Sequence, residues 1–150
     1  LNNYQYVFDL LKKYDMNAVV FIIGSSLKEN NNIHMNEEII NKTLKEYPNI
    51  EFASHSYNLH YKSDKTYDIV NEDTKKMPIK SKYYAYPYGE YNEDYIKALK
   101  DNGYVMAFGF GPGKEHRKAS ISDNNYIIPR LNISKDLSLI KFIIRLILPL

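Results

Sequence analysis

Residues 17–24, "NAVVFIIG", place six apolar side chains in a row before Gly24, and most of them are β-branched or aromatic. A run this short is a strand rather than a helix. Because it is continuous instead of alternating, it predicts a strand buried on both faces, as in a parallel sheet. The flanks agree with that reading. Upstream, residues 4–14 carry Val7, Leu10, Leu11 and Tyr14 at helical spacing. Downstream, Asn36 offers an N-cap, Glu37 and Glu38 fill a first turn, and Pro48 stops the helix they begin.

The alternation continues along the chain. "NIEFAS" (residues 49–54) is a second strand that ends at His55, and residues 63–77 are polar and weakly helical. "KYYAYPYG" (82–89) is a strand broken at Pro87; Asn92 then caps a helix that closes at Gly103. "YVMAFGF" (104–110) is another strand, and "YIIPRLNI" (126–133) a last strand-like piece. The loop between them, residues 109–125, has neither GxGxxG nor GxxxxGK[ST], so a phosphate cradle is poorly supported. Residues 135–148 form a final apolar helix, interrupted by Lys141 and Arg145 and too short to span a bilayer. That helix is expected to cover the sheet or barrel. With no repeat and no long linker, residues 1–150 read as one α/β domain with a parallel sheet or barrel. In such barrels the reactive groups gather at the C-terminal ends of strands. His55, residues 87–89, residues 109–113, Pro129 and Arg130 all fall there.

Composition narrows the function classes. Twenty Lys and Arg against eighteen Asp and Glu leave a net charge of +2 with no basic stripe, which argues against a nucleic-acid partner. The chain has no cysteine, which excludes disulfides, thiolate metal sites and thiol redox chemistry. No basic start followed by an apolar core opens the sequence, so no signal peptide is read there.

Two histidines lie five residues apart in "IEFASHSYNLHY" (50–61). Imidazoles at that spacing do not share a helical face. They converge if His55 ends a strand and His60 lies on the loop turning back, and Ser56 and Asn58 suit such a loop. The residues alone leave two readings, a solvated loop or two ligands of a metal site.

Three stretches together resemble a known family. "LLKKYDMNAVVFIIGSSL", "EFASHSYNLH" and "YAYPYGEYNEDYIKALKDNGYVMAFGF" are similar to the polysaccharide deacetylases with the NodB homology domain, carbohydrate esterase family 4. The histidine spacing, "PYGEY" and "IPRLNI" resemble the branch acting on poly-β-1,6-N-acetylglucosamine. The resemblance implies a distorted or incomplete (β/α) barrel lacking its first strand, in a domain truncated at its N-terminus. It implies metal-dependent hydrolysis of an acetamide on an N-acetylglucosamine polymer. His55 and His60 then hold a divalent metal, most naturally Zn²⁺, with Co²⁺ or Ni²⁺ as alternatives. The Tyr88 backbone N–H serves the oxyanion, and Tyr86, Pro87 and Tyr91 contact sugar.

The chain also departs from the family pattern. It has no Phe-Asp-Asp motif, the family's source of the general base and third ligand, and Asp9 in the first helix is no substitute. Ala85 stands where many members place an arginine that orients the base; by resemblance, Arg130 takes that role. The late Leu-x-His motif is absent, and His34 and His116 read as surface residues. The chain as given is therefore expected to be weakly active or inactive, with a catalytically silent carbohydrate-binding relative as the alternative. The resemblance further implies a polysaccharide partner and extracellular or cell-surface action, with attachment through upstream sequence left open. Oligomeric state is not legible.

Overall fold

The computed structural model describes residues 3–29, 33–61, 64–109, 118–131, 133–134 and 136–147. Five parallel strands form one sheet in chain order: β1 (Ala18–Ile22), β2 (Ile50–Ser54), β3 (Tyr83–Ala85), β4 (Met106–Gly109) and β5 (Ile128–Pro129). The β1–β2 ladder runs from Ala18 opposite Ile50 to Ile22 opposite Ser54; β4 meets β5 at Gly109 opposite Pro129. Parallel neighbours need long crossovers, and helices supply them: α2 (Glu37–Glu46), α3 (Tyr67–Lys75) and α4 (Glu93–Asp101) follow β1, β2 and β3. A sheet wound this way is an arc of a (β/α) barrel, left open between β1 and β5 among the described residues.

The helices begin where their caps lie. Asn36 Oδ1 accepts the Ile39 N–H at 3.0 Å and Asn92 Oδ1 accepts the Tyr95 N–H at 2.8 Å, each satisfying a donor the first turn leaves open. α4 buries Tyr95, Ala98 and Leu99, positions i, i+3 and i+4 of one face. It ends at Gly103, whose φ of +80° is the left-handed conformation a helix C-terminus favours. The first helix is shorter than its periodicity implied: a π-turn over Asn3–Val7 leads into α1 (Phe8–Lys13).

Two cores flank the sheet. One gathers Phe8, Ile22, Leu27, Met35, Ile40, Tyr47, Ile50 and Phe52. The other gathers Leu59, Val70, Tyr84, Tyr86, Tyr95, Ala98, Leu99, Tyr104 and Ala107. In the second, tyrosine hydroxyls find partners inside the protein: Tyr84 with Tyr95 at 2.7 Å, Tyr104 on Ser54 Oγ at 2.9 Å, and Tyr86 on the Tyr126 carbonyl at 2.9 Å. Buried hydroxyls need such partners, because an unpaired one costs about 1–3 kcal/mol.

Two expectations are corrected here. The run at residues 17–24 is not buried on both faces: among the described residues β1 pairs only with β2, Val19 is 41% exposed, and within β1 only Ile22 is buried. A strand at the sheet's edge shows the same continuous apolar pattern as a central one. The last helix, α5 (Leu139–Ile147), buries none of its residues among those described: Phe142 and Arg145 are half-buried, and Leu139, Ile140 and Ile147 are each about 70% exposed. Its apolar composition was legible in the sequence, but its docking was not. Among the described residues no helix is long and apolar enough to cross a membrane.

Candidate functional site

The C-terminal ends of β1, β2 and β3 build the site. β2 ends at Ser54, and His55 continues the ladder by donating its N–H to the Ile22 carbonyl at 2.8 Å. The chain then turns sharply at Ser56, whose φ of 70° lies in the left-handed region that a non-glycine residue enters at a cost of order 1–3 kcal/mol. Backbone bonds to the end of β1 and a bond within the loop help hold that turn. The Gly24 and Ser25 N–H groups donate to the Ser56 and Tyr57 carbonyls at 2.9 Å each, and the Ser56 hydroxyl accepts the Leu59 N–H at 3.0 Å. Gly24 is needed for this approach, because a Cβ there would stand 2.8 Å from both the Tyr57 ring and Met77 Sδ. A single helical turn, Leu59–Tyr61, then brings His60 back to the rim.

The result is a pair of imidazoles. The His55 and His60 rings meet edge to face with centroids 4.5 Å apart. His55 Nδ1 lies 2.6 Å from the Ala85 carbonyl at the end of β3. A carbonyl only accepts, so Nδ1 carries the proton and Nε2 of the neutral ring carries the lone pair. Burial drives the His55 pKa down to about 4, outweighing the opposing bond to Ala85, and the charges of His60 and Arg130 push the same way. Burial and the nearby Lys65 charge also lower His60. Both rings are neutral near pH 7, the form that binds a metal. Among the described residues no third histidine or carboxylate joins them in a metal-binding cluster.

The other sequence candidates divide. Tyr88 sits in a 3₁₀ turn, Pro87–Gly89, with φ 55° and ψ 8°, so a second strained residue faces the pair. The turn's own bonds come from the Gly89 N–H to the Tyr86 carbonyl and the Glu90 N–H to the Pro87 carbonyl. The Tyr88 ring packs on His60 with centroids 4.9 Å apart, and its hydroxyl reaches the His60 carbonyl at 3.4 Å. Sequence reasoning gave Tyr88 an amide role and missed this side-chain contact. Arg130 follows β5, and its Nη2 donates to the Tyr86 carbonyl at 3.3 Å. It lies close enough to His55 for its charge to be felt there, and partial burial lowers its own pKa.

Tyr86 and Pro87 are corrected. Both side chains are fully buried, and the Tyr86 ring is fixed among Tyr84, Tyr91 and Tyr95, so neither can stack on a sugar. Tyr91 is half-buried, tilted over Tyr86 at 5.1 Å and packed where a Cβ on Gly109 would meet its ring at 3.0 Å. Asp9 accepts the Tyr47 hydroxyl at 2.7 Å, and His34 pairs with Glu29 at 3.0 Å on the surface. His116 and residues 110–113 lie outside the described residues.

The family model described as polysaccharide deacetylase matches residues 1–107. The chain belongs to the polysaccharide deacetylase family. Within that family, it is 31% identical over 152 aligned residues to the poly-beta-1,6-N-acetyl-D-glucosamine N-deacetylase of Staphylococcus epidermidis, covering 89% of this chain and 51% of that protein. The Staphylococcus aureus protein of the same name is 32% identical, again over 89% of this chain and 51% of its own length. The chain thus spans about half the length of the curated relatives it matches. Among solved structures, IcaB from Ammonifex degensii superposes with a TM-score of 0.71 at 20% identity, over 91% of this chain and 64% of that one. Streptococcus pyogenes deacetylase PplD in complex with acetate gives 0.76 at 18%, over 96% and 65%. At those identities the structural likeness shows a shared deacetylase fold.

Proposed function

We propose that this polysaccharide deacetylase acts on an N-acetylglucosamine polymer of the β-1,6-linked kind, hydrolysing the acetamide to acetate and a glucosamine amine. The observation that carries the reading is the His55–His60 pair at the strand ends, neutral and with the His55 tautomer fixed by Ala85. Two such imidazoles fit part of a divalent-metal site, and Zn²⁺ suits nitrogen donors best, ahead of Co²⁺ or Ni²⁺. When bound, the metal would supply Lewis acidity to the acetamide carbonyl and the attacking water.

The chain's own residues supply part of the remaining machinery. His55 and His60 would hold the ion. The Tyr88 N–H donates to the carbonyl oxygen as it gains negative charge, from a turn already fixed in its strained conformation. The half-buried face of Tyr91 is the remaining aromatic candidate for a sugar ring. Arg130, anchored on the Tyr86 carbonyl beside His55, is placed to orient a carboxylate base of the kind the family's Phe-Asp-Asp motif supplies. That motif has no counterpart in this sequence. The substrate, a secreted polymer, implies extracellular or cell-surface action.

Zn²⁺ titration alongside acetate release from β-1,6-linked N-acetylglucosamine oligomers tests the reading. Zn²⁺ binding should be lost in both His55→Ala and His60→Ala; binding unchanged in either would overturn it. A second reading, a silent carbohydrate-binding relative, is favoured by the lack of a third metal-binding residue among those described. Oligomer binding without acetate release, even after a Phe-Asp-Asp strand is supplied, would select it.

A further inference from the structure

The loop between the two histidines is held from outside by a residue that no motif marks. α3 turns Val70, Asp73 and Thr74 toward the core. Asp73 is 6% exposed, and both its oxygens are spent on the loop: Oδ2 accepts the Tyr57 N–H at 2.7 Å and Oδ1 accepts the Asn58 N–H at 2.8 Å. These two amides are the middle of the segment that joins His55 to His60. The loop's other bonds reach β1's end, through the Ser56 and Tyr57 carbonyls and through Asn58 Oδ1, which accepts the Ser25 hydroxyl at 3.4 Å, and close on themselves through the Ser56 hydroxyl. The strained Ser56 turn therefore hangs between two supports, the end of β1 and the Asp73 carboxylate.

A carboxylate is the right group for this task. It accepts through both oxygens, and such charge-assisted bonds are shorter and stronger than neutral ones. An amide would offer one acceptor and set its NH₂ against the second N–H. An apolar side chain would leave two buried N–H groups unpaired.

We infer that Asp73 is a positioning residue for the histidine pair: through the Tyr57 and Asn58 amides it fixes the turn that brings the His55 and His60 rings together. Its consequence for metal binding rests on the reading of that pair as ligands. Loss of Asp73 should let the turn relax its positive φ, and His60 should swing away while the sheet stays folded.

The test compares Asp73→Asn with Thr74→Val, a change on the same buried face whose hydroxyl bonds only its own helix at Val70 and Asn71. Three readouts are taken: thermal unfolding, Zn²⁺ affinity below the transition, and cross-relaxation between the His55 and His60 ring protons in metal-free protein. Asp73→Asn should weaken Zn²⁺ binding about 10–100-fold, the usual effect of removing a group that orients ligands, and diminish the ring contact. Thr74→Val should lower the melting temperature and leave both other readouts unchanged. An Asp73→Asn protein that keeps wild-type affinity and ring contact overturns the inference, because a merely structural carboxylate would behave that way. Should Asp73→Asn fail to fold, hydrogen exchange of the wild-type protein decides. The Tyr57 and Asn58 amides must be protected as strongly as those of β2, and fast exchange there refutes the support. If the wild-type rings are in contact but Zn²⁺ binds without His55, the ligand reading falls instead, and the ring contact alone judges Asp73.

Discussion

The two cores beside the sheet use different chemistry. The one under α1 and α2 is mostly aliphatic and aromatic hydrocarbon, and its buried members retain 1–8% exposure. The one under α3 and α4 is built on four tyrosines, and its members are completely buried except Tyr104 at 6%. The first core is held by apolar contact, which is tolerant of orientation. The second adds directional bonds between hydroxyls, Ser54 and backbone carbonyls, which fix side chains in one arrangement. The candidate site draws on the second side through the Ala85 carbonyl at the end of β3, the Tyr86 carbonyl just after it and the Asp73 carboxylate on α3, and on the first through backbone bonds at the end of β1. The side-chain anchors of the histidine pair come from the half with the more specific core, while the other half holds the same loop through its backbone.

Alkali should break the comparison most severely. Burial raises the pKa of Tyr84, Tyr86, Tyr95 and Tyr104, with the Asp73 charge adding to Tyr84, Tyr95 and Tyr104. In the unfolded chain these groups titrate near 10.0. Their contribution is therefore fully present below about pH 10 and is lost as pH rises from there toward the folded values. In the other core only Tyr47 is comparable, raised to about 12 chiefly by its bond to Asp9. Melting temperature followed with tyrosinate absorbance should show the fold lost above pH 10 in one step with ionisation of the buried tyrosines. Ionisation of those tyrosines without unfolding would mean that this core is looser than the structure shows.

A smaller effect sharpens the contrast. Leu99→Ala, in the rigid core with no exposure, should cost about 2–5 kcal/mol, while Leu27→Ala at 4% exposure should lie toward the lower end of that range. Urea denaturation of both variants measures this, and equal losses would remove the distinction in packing. The smallest effect concerns single hydroxyls. Tyr84→Phe strips the Tyr95 hydroxyl of its buried partner and should cost about 1–3 kcal/mol. Tyr47→Phe releases only the exposed Asp9 carboxylate to water and should cost well under about 1 kcal/mol, a difference the same denaturation curves resolve.

How much of this was legible depends on the range of the interaction. Strand and helix alternation, the two asparagine caps and the Gly103 stop are decided within a few residues, and each stands where the sequence put it. His55 at a strand end and His60 on the returning turn were equally local, and the structure brings their rings together. Tyr86 and Pro87 were misread because an aromatic after a strand looks the same whether it faces a groove or a core. Asp73 was overlooked inside a polar stretch, although Val70, Asp73 and Thr74 at i, i+3 and i+4 would have marked a carboxylate on a buried face once the helix limits were known.

The sequence by itself determined the parallel α/β pattern and the histidine spacing, because periodicity, caps and motif spacing are properties of neighbours along the chain, and its resemblance to known proteins pointed to the family. Only the tertiary structure decided that β1 stands at the end of the described sheet with Val19 exposed, that α5 buries no residue among those described, that Ala85 fixes the His55 tautomer and that Asp73 holds the loop. The physical reason is that burial and hydrogen-bond pairing are made by residues far apart in sequence. The 18 positions from His55 to Asp73 and the 30 from His55 to Ala85 close only when the sheet assembles.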